Sequence, residues 1–452
     1  MLRLPKAARG PSLIVAILTI TYLILKLSII NVPSPELPPS SCIDQTSGCG
    51  FVFDEAHYLP AVRKMLRGEP ANNEHPPLVK YLIMYSIQLF GDVPLAWRLP
   101  SAILGSLTLP FVYLIARRLT GDVRVGLVAV ALFFLDVMSF NLSSIAILDA
   151  PSLFFALSGA YLMISGRRPL GIVMLAASAL SKTSALLTAL GIIVFDALYS
   201  SARSSDSAER ASKLLNRAVT YLLVLGALFT AGLAVYDTQY GAFPHPFAHL
   251  DFILSYHSSL RFSCGETLSP LSCTHRDQHG EVVVELPLSW VMPVGGFRPM
   301  GFYVVSVAVD GRVHHPILYY GIQSPLWWLF WVTLILSLPQ GLLLIVNYFR
   351  GKSDLPGSGS RAVDVFYFIW AVSNYFVHFP LAYLLNRWVY PFYFYFTVPI
   401  LAIVVADILM RRGIPGYIAA FTLGAQLMWF IIYYPVRSDA HIALLRLLGL
   451  PA

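Results

Sequence analysis

The chain has 452 residues, of which 57% are hydrophobic and 12% charged, and its mean hydropathy is +0.67. This composition excludes an ordinary soluble domain and indicates an integral membrane protein with many spans. The formal net charge of +7 comes from Lys and Arg residues that fall mainly in short loops between apolar runs. The charge therefore reflects membrane topology, and no nucleic-acid partner is expected.

Apolar runs long enough to cross a bilayer predict about eleven membrane spans. The first run lacks a small-residue cleavage pattern, so it is predicted to be an uncleaved span and not a signal peptide. The stretch 170–199 could form one long helix, but two short spans keep the later basic loops on one side of the membrane. The predicted spans are 11–30, 97–119, 123–140, 148–165, 170–182, 183–199, 218–236, 324–347, 363–384, 388–410 and 414–434.

Short basic loops, such as 117–124 and 411–412, predict which side of the membrane is cytoplasmic. With the N-terminus on that side, the two long loops lie outside. The predicted domains are an N-terminal transmembrane module (1–236) that contains the catalytic first outer loop (31–96), an outer cap (237–322) and a set of C-terminal helices (323–452).

The four cysteines all lie in predicted outer loops. Two local disulfides, Cys42–Cys49 and Cys264–Cys273, are the simplest pairing. They imply an oxidising outer compartment or the disulfide tolerance of a hyperthermophile. A four-cysteine metal site is the alternative, although no Cys-x-x-Cys pair supports it.

The first outer loop is too long to be a mere connector. Asp54 and Glu55 precede a short predicted helix, 56–66, and His75 precedes a second, 77–90, which is too short to span and should lie in the membrane interface. We expect these helices to hold the two carboxylates at the membrane surface. The alternative is that Asp54 only caps the first helix.

Alternating apolar and polar residues in the second outer loop predict strands at 281–286 and 303–311, the latter ending in the turn Asp310-Gly311. We therefore expect a small folded cap that contains β-structure over the outer face.

Ionisable residues gather at the outer ends of the predicted spans, where each is a functional hypothesis by default. These residues are Arg98, Asp149, Lys182 and Arg387. For each one, the alternative is extension to water or pairing within the helix bundle.

Cations that converge near a surface carboxylate suit sugar transfer from a lipid phosphate to a hydroxyl. Asp54 would take the acceptor proton, and Arg98, Lys182 and Arg387 would stabilise the departing phosphate. Because phosphate leaves as a stable anion, no second, protonated carboxyl is needed. No metal is expected.

A series of motifs occurs in order along nearly the whole chain: Asp54-Glu55, His75-Pro76-Pro77-Leu78, Arg98-Leu99-Pro100-Ser101, Leu148-Asp149-Ala150-Pro151, Leu180-Ser181-Lys182, Ser289-Trp290, 321–328 (GIQSPLWW), His378-Phe379-Pro380, Asn386-Arg387 and Tyr390. This series resembles the dolichyl-phosphate-mannose protein O-mannosyltransferases, which are membrane glycosyltransferases of the GT-C class. The resemblance implies an α-helical polytopic GT-C fold. It also implies inverting transfer of mannose from dolichyl phosphate mannose to Ser or Thr hydroxyls of proteins on the outer side.

In this interpretation Asp54 and Glu55 are the catalytic residues. The lipid donor is a co-substrate, no cofactor is required, a protein or peptide is the acceptor, and a homodimer is one assembly to consider. The residues expected at the donor phosphate and sugar are His75, Arg98, Asp149, Lys182, Gln323, Arg387, Tyr390 and Tyr393.

The sequence departs from the family pattern in three places. The second outer loop has no room for the trefoil-like sugar-binding domain of eukaryotic members, which indicates an archaeal or bacterial type. Gln323 stands where Asn is more frequent, and Tyr390-Pro391-Phe392-Tyr393 replaces paired histidines.

Two other functions are left open by the sequence. One is the same chemistry on a lipid or glycan acceptor, as in the related lipid-A aminoarabinose transferases. The other is a transporter or flippase for a lipid-linked sugar, which would not require Asp54.

Overall fold

The structure is a computed structural model that describes residues 6–201, 207–277, 280–293, 296–309, 311–351 and 359–450. It is mainly helical, as the apolar runs predict. The α-helices are α1 (Lys6–Ile29), α2 (Glu55–Leu66), α3 (Leu78–Phe90), α4 (Pro94–Ser106), α5 (Thr108–Thr120), α6 (Val123–Phe134), α7 (Val137–Leu142), α8 (Asp149–Ile164), α9 (Arg168–Ser181), α10 (Ala185–Ser201), α11 (Ser207–Tyr240), α12 (Pro246–Ser259), α13 (Pro325–Trp328), α14 (Phe330–Leu336), α15 (Leu338–Phe349), α16 (Ser360–Ala371), α17 (Val398–Arg411), α18 (Gly416–Ile432) and α19 (Asp439–Leu447).

Many of these helices are apolar enough to lie in a membrane. Within the described ranges, five helical stretches have the length and composition to cross it: Gly10–Ile29, Pro94–Thr120, Ala208–Tyr240, Pro325–Phe349 and Arg361–Leu384. Six shorter apolar helices accompany them: α3, α6, α8, α9, α10 and α18. The protein is therefore an integral membrane protein, whereas the number of spans, about eleven, stays a prediction.

Several predicted spans are interrupted, and local sequence explains two of the interruptions. The predicted span 388–410 is divided into a 3₁₀-helix, Pro391–Phe396, and α17. Each part has a proline in its first turn, where the missing N–H costs least. The predicted span 123–140 is divided between α6 and α7, because the Asp136 side chain accepts a hydrogen bond from the Ser139 N–H and caps the second helix.

The stretch 170–199 forms two helices, α9 and α10, as predicted. Helices α8 and α9 pack closely because glycines face each other across the pair. A Cβ atom on Gly159 would lie 2.7 Å from the Leu175 side chain, and one on Gly171 would lie 2.8 Å from Met163. Close packing of small residues is the usual basis of helix association in membranes. It brings the start of α8 beside the end of α9.

The outer cap contains two small antiparallel sheets. The first has the order β1 (Glu266–Ser269), β2 (Ser272–Asp277) and β3 (Gly280–Glu285), and the second pairs β4 (Met300–Val309) with β5 (Arg312–Gly321). The two predicted strands are therefore present. In the predicted Asp310-Gly311 turn, Asp310 lies outside the described residues.

Both predicted disulfides are present, Cys42–Cys49 and Cys264–Cys273. The first closes a short loop ahead of α2, and the Cys42 carbonyl accepts a hydrogen bond of 2.7 Å from Arg63 on that helix. The second joins the segment before β1 to β2, so each disulfide stabilises one of the two long loops.

Candidate active site

Glu55 is a buried organiser of the first outer loop. Its carboxylate accepts hydrogen bonds of 2.8 Å from the Val52 and Ala146 N–H groups. It also forms a two-fold ion pair with Arg98, at 2.8 and 2.9 Å, and both side chains are 0% exposed. Glu55 was predicted as catalytic together with Asp54, but the structure buries its carboxylate in contacts with the protein itself.

Arg98 completes this arrangement and uses all its donors. Besides Glu55, its guanidinium donates to four main-chain carbonyls, those of Ile30, Val32, Pro33 and Gly50, at 2.8 to 3.3 Å. A guanidinium has five N–H groups, so none is left for a phosphate. The structure thus does not bring Arg98 to the predicted donor site, and the side chain instead joins the end of α1 to the loop that carries Asp54.

Asp54 follows a residue in an unusual backbone conformation. Phe53 has φ of 54°, and its N–H bonds to the Phe302 carbonyl on β4 at 3.3 Å while the two rings stack at 4.2 Å. Such a conformation costs a non-glycine residue about 1 kcal/mol or more, and it is typical of functional sites. The tertiary contacts with β4 hold Phe53 in place and thereby determine where Asp54 lies.

The Asp54 side chain makes no capping hydrogen bond to α2, although the residue occupies the N-cap position. It lines a cavity instead. Burial raises the pKa of its carboxyl to about 6, and the charge of Asp149 adds to this, whereas Lys182 and His57 oppose it. A carboxylate with this pKa is ionised at neutral pH and is still basic enough to take a proton.

The cavity beside Asp54, here called the polar cavity, has a volume of about 230 Å³. It brings together six of the predicted site residues, which come from four separate stretches of the chain. They are Asp54, His75, Lys182, Arg387, Tyr390 and Tyr393.

A second, larger cavity adjoins it, with a volume of about 450 Å³ and a mostly apolar surface. We call this the apolar cavity. The side chains of Leu186, Leu254, Leu381, Leu385 and Val389 contribute to it. The two cavities share His75, Lys182, His257, Arg387 and Tyr393, so a cationic junction separates an apolar compartment from a polar one.

Lys182 lies at the break between α9 and α10, where its backbone is extended. Its ammonium group is 2.6 Å from the Asp149 carboxylate and 4.8 Å from the Tyr393 ring centroid. Asp149 is the first residue of α8 and is 2% exposed, whereas Lys182 is 12% exposed. Asp149 is therefore buried beneath Lys182 and acts on the junction by orienting the Lys182 side chain.

Arg387 is the second cation of the junction. Its guanidinium lies 3.3 Å from the His257 ring, and among the described residues it has no carboxylate within salt-bridge distance. Burial, together with the charge of Arg387, lowers the pKa of His257 to about 4. Burial likewise holds the pKa of His75 well below its usual value. Both imidazoles are thus neutral at pH 7.

Gln323 does not reach either cavity. Its amide donates to the Ser289 and Trp290 carbonyls, and its oxygen accepts from Trp328 at 2.6 Å. These hydrogen bonds connect the cap with the start of α13. Gln323 was predicted to lie at the donor site, but the structure does not bring it there.

Several residues that line the polar cavity were not predicted as site residues, among them Tyr256, His257 and Glu74. Tyr256 and His257 lie on α12, a helix without a clear apolar period, and Glu74 appears in the sequence only as the residue before His75. The only sequence signal for Glu74 was its place in the first outer loop, and for α12 there was none.

Residues 74–229 match the family model described as dolichyl-phosphate-mannose-protein mannosyltransferase. This segment is about a third of the chain. It includes His75, Asp149 and Lys182 of the site, whereas Asp54 and Arg387 lie outside it.

Curated relatives carry the same name in a bacterial form, polyprenol-phosphate-mannose–protein mannosyltransferase. The Corynebacterium glutamicum protein is 36% identical over 126 residues, which are 25% of this chain and 24% of the relative. The Mycobacterium tuberculosis protein of strain H37Rv is 32% identical over 114 residues, 24% and 22% of the two chains. The chain therefore spans about a quarter of the length of the curated relatives that it matches.

Solved structures extend the likeness to nearly the whole fold. The Saccharomyces cerevisiae protein O-mannosyltransferase Pmt1-Pmt2 complex bound to the sugar donor matches with a TM-score of 0.60 and 14% identity, over 96% of this chain and 90% of that one. ArnT from Cupriavidus metallidurans bound to undecaprenyl phosphate matches with a TM-score of 0.53 and 16% identity, over 92% and 63%. The predicted GT-C fold is confirmed.

Proposed function

We propose that this protein transfers mannose from a polyprenyl-phosphate mannose such as dolichyl phosphate mannose to Ser or Thr hydroxyls of proteins, with inversion at the sugar carbon. The observation that carries the proposal is the junction of the two cavities. Lys182 and Arg387 lie between the apolar cavity and the polar cavity, and Asp54 lines the polar one. The family match over residues 74–229 supports the same function.

The donor would lie across the junction. Its prenyl chain suits the apolar cavity, because burial of aliphatic groups is favourable and needs no specific partner. Its phosphate suits the two cations, which are fixed charges in a largely desolvated position. The sugar carried by that phosphate then enters the polar cavity on the side of Asp54.

Transfer would proceed as a single displacement. Asp54 takes the proton of the acceptor hydroxyl while the hydroxyl oxygen forms a bond to the anomeric carbon of mannose. The bond from that carbon to the phosphate oxygen breaks, and the lipid phosphate leaves with the electron pair beside Lys182 and Arg387. Because attack and departure occur on opposite faces, the configuration is inverted. Asp149 acts as a positioning residue that holds Lys182.

We place the two cavities on the extracytoplasmic side, since the first outer loop and the cap each contain a disulfide. The acceptor would therefore be a protein outside the cytoplasm. A homodimer is the assembly to test first, because the yeast structure is of a complex of two related chains.

The experiment uses purified protein in lipid nanodiscs with labelled polyprenyl-phosphate mannose. Three acceptors are compared: a Ser/Thr peptide, the same peptide with alanine at those positions, and a lipid with a free hydroxyl. We expect label in the Ser/Thr peptide alone, with an anomeric configuration opposite to that of the donor. Label only in the lipid would favour the lipid-acceptor alternative.

The matched variant is Asp54→Asn, which keeps the shape of the side chain but cannot accept the proton. It should abolish transfer while donor binding survives. Unchanged turnover would refute Asp54 as the base. Movement of the donor across the bilayer without transfer to any acceptor would instead support a flippase.

A further inference from the structure

One loop at the polar cavity has its main chain fixed by hydrogen bonds from side chains outside the loop. Residues 71–75, here called the clamped loop, run from Ala71 to His75 ahead of α3. Each of its five main-chain carbonyls accepts a hydrogen bond from a side chain outside the loop. The donors are Lys80 to Ala71, Asn72 and His75, Tyr236 to Ala71, His249 to Asn73 and His257 to Glu74, at 2.6 to 3.2 Å.

These clamps come from three helices, α3, α11 and α12. The His249 ring is itself fixed, because its other nitrogen lies 2.8 Å from the Asp237 carboxylate. Asn72 has φ of 52°, a conformation that Asn tolerates better than most residues. A loop whose main chain is held at every residue presents its side chains in fixed positions, as a preorganised binding site requires.

Three side chains of the clamped loop line the polar cavity: Asn72, Glu74 and His75. The Asn72 amide donates to one Glu74 carboxylate oxygen at 2.7 Å. The Asn72 Oδ1 and His75 Nδ1 atoms are buried without any hydrogen-bond partner. Buried polar atoms are rarely left unpaired, and unpaired atoms that line a cavity indicate a missing polar ligand.

The position of the clamped loop limits what this ligand can be. Under the proposed function, the lipid lies in the apolar cavity and its phosphate at the junction, so the group that enters the polar cavity is the sugar. The Glu74 carboxylate can accept hydrogen bonds from sugar hydroxyls, and the Asn72 amide can accept them at its oxygen and donate from its second N–H. Hydroxyl recognition of this kind discriminates strongly, because a buried acceptor that loses its partner is costly.

We propose that Glu74, together with Asn72, forms hydrogen bonds with the hydroxyls of the donor's hexose and thereby determines which sugar this protein uses. The inference rests on the proposed function and adds to it a specificity-determining pair. Glu74 binds the sugar and orients it against Asp54, and it takes no proton during transfer.

The test separates sugar binding from turnover. In an Asp54→Asn background, affinity is measured for polyprenyl phosphate and for polyprenyl-phosphate mannose. The sugar should contribute to binding, so polyprenyl-phosphate mannose should bind more tightly than polyprenyl phosphate. Addition of Glu74→Gln should lower the affinity for the mannosyl lipid about 10- to 100-fold and leave the affinity for the bare lipid phosphate unchanged. The control is Glu69→Gln, which removes an exposed carboxylate near the same loop that lines neither cavity.

Monodeoxy donors identify the hydroxyl. For at least one of the 2-, 3-, 4- and 6-deoxy mannosyl lipids, the wild-type kcat/KM should fall by about the same factor as Glu74→Gln causes. With that donor, Glu74→Gln should show no further decrease in kcat/KM, because both changes remove the same interaction between Glu74 and the hydroxyl. The unfolding midpoint of Glu74→Gln should match that of the wild type, since the clamps use the main chain and not this carboxylate.

Several results would overturn the inference while the proposed function stands. These are unchanged mannosyl-lipid affinity in Glu74→Gln, equal deoxy penalties in wild type and variant for all four donors, or a loss of kcat with intact sugar binding. The last would make Glu74 a proton acceptor. Failure of the wild type to bind either lipid would overturn both the inference and the proposed function.

Discussion

The pH dependence of transfer gives a direct test of Asp54, since the raised pKa of its carboxyl makes a quantitative prediction. The rate should be lost as pH falls through about 6, because protonated Asp54 cannot accept the acceptor proton. About nine tenths of the carboxyl is ionised at pH 7 and about one tenth at pH 5, so the rate should fall roughly tenfold between them. With an ordinary aspartate pKa, about nine tenths of the rate would remain at pH 5.

The assay measures initial transfer to a Ser/Thr peptide from pH 5 to pH 8 at saturating donor. Burial lowers the pKa of His257 to about 4, below this range, and it lowers the pKa of His75 as well. The donor phosphodiester keeps its single charge throughout. Among the histidines, His57 acts directly on Asp54, and its charge lowers the pKa of Asp54. His57→Gln should therefore keep the acid limb and move it to slightly higher pH. A flat rate between pH 7 and pH 5, with the protein still folded, would refute Asp54 as a base with this pKa.

Three further variants test the surrounding structure. Arg98→Met should destabilise the protein by about 3–5 kcal/mol, because it leaves the buried Glu55 carboxylate unpaired, and a wild-type unfolding midpoint would contradict that role. Lys182→Met should weaken binding of polyprenyl phosphate at least about tenfold and should also lower the midpoint, because it leaves the buried Asp149 carboxylate unpaired, whereas equal affinity would remove Lys182 from the phosphate site. Cys42→Ser should cost about 2 kcal/mol by opening the first disulfide, and dithiothreitol should destabilise the wild type more than this variant.

The sequence predicted the parts of the site that depend on local pattern. Asp54 stands out because it opens a helix in a long outer loop, and Lys182 because it interrupts an apolar stretch. Both lie at the polar cavity. The two disulfides were predictable for the same reason, since each joins cysteines only 7 or 9 positions apart.

Arg98 shows where this reasoning stops. At the end of an apolar run, a cation that binds a ligand and a cation that pairs inside the protein have the same pattern. The partner that decides between them, Glu55, is 43 positions away and adjacent to the expected base. The sequence could not show that Glu55 pairs with Arg98 or that Asp54 lines the cavity.

The amino-acid sequence by itself determined the membrane character of the chain, its helical fold and its two oxidised loops, because apolar length, proline position and cysteine spacing act over short distances. Only the tertiary structure decided which charges meet. Helix α12 lies far along the chain from the clamped loop, yet its histidines bind the loop's carbonyls. Charge pairing and cavity shape depend on such distant contacts, so they appear only once the helices are in place.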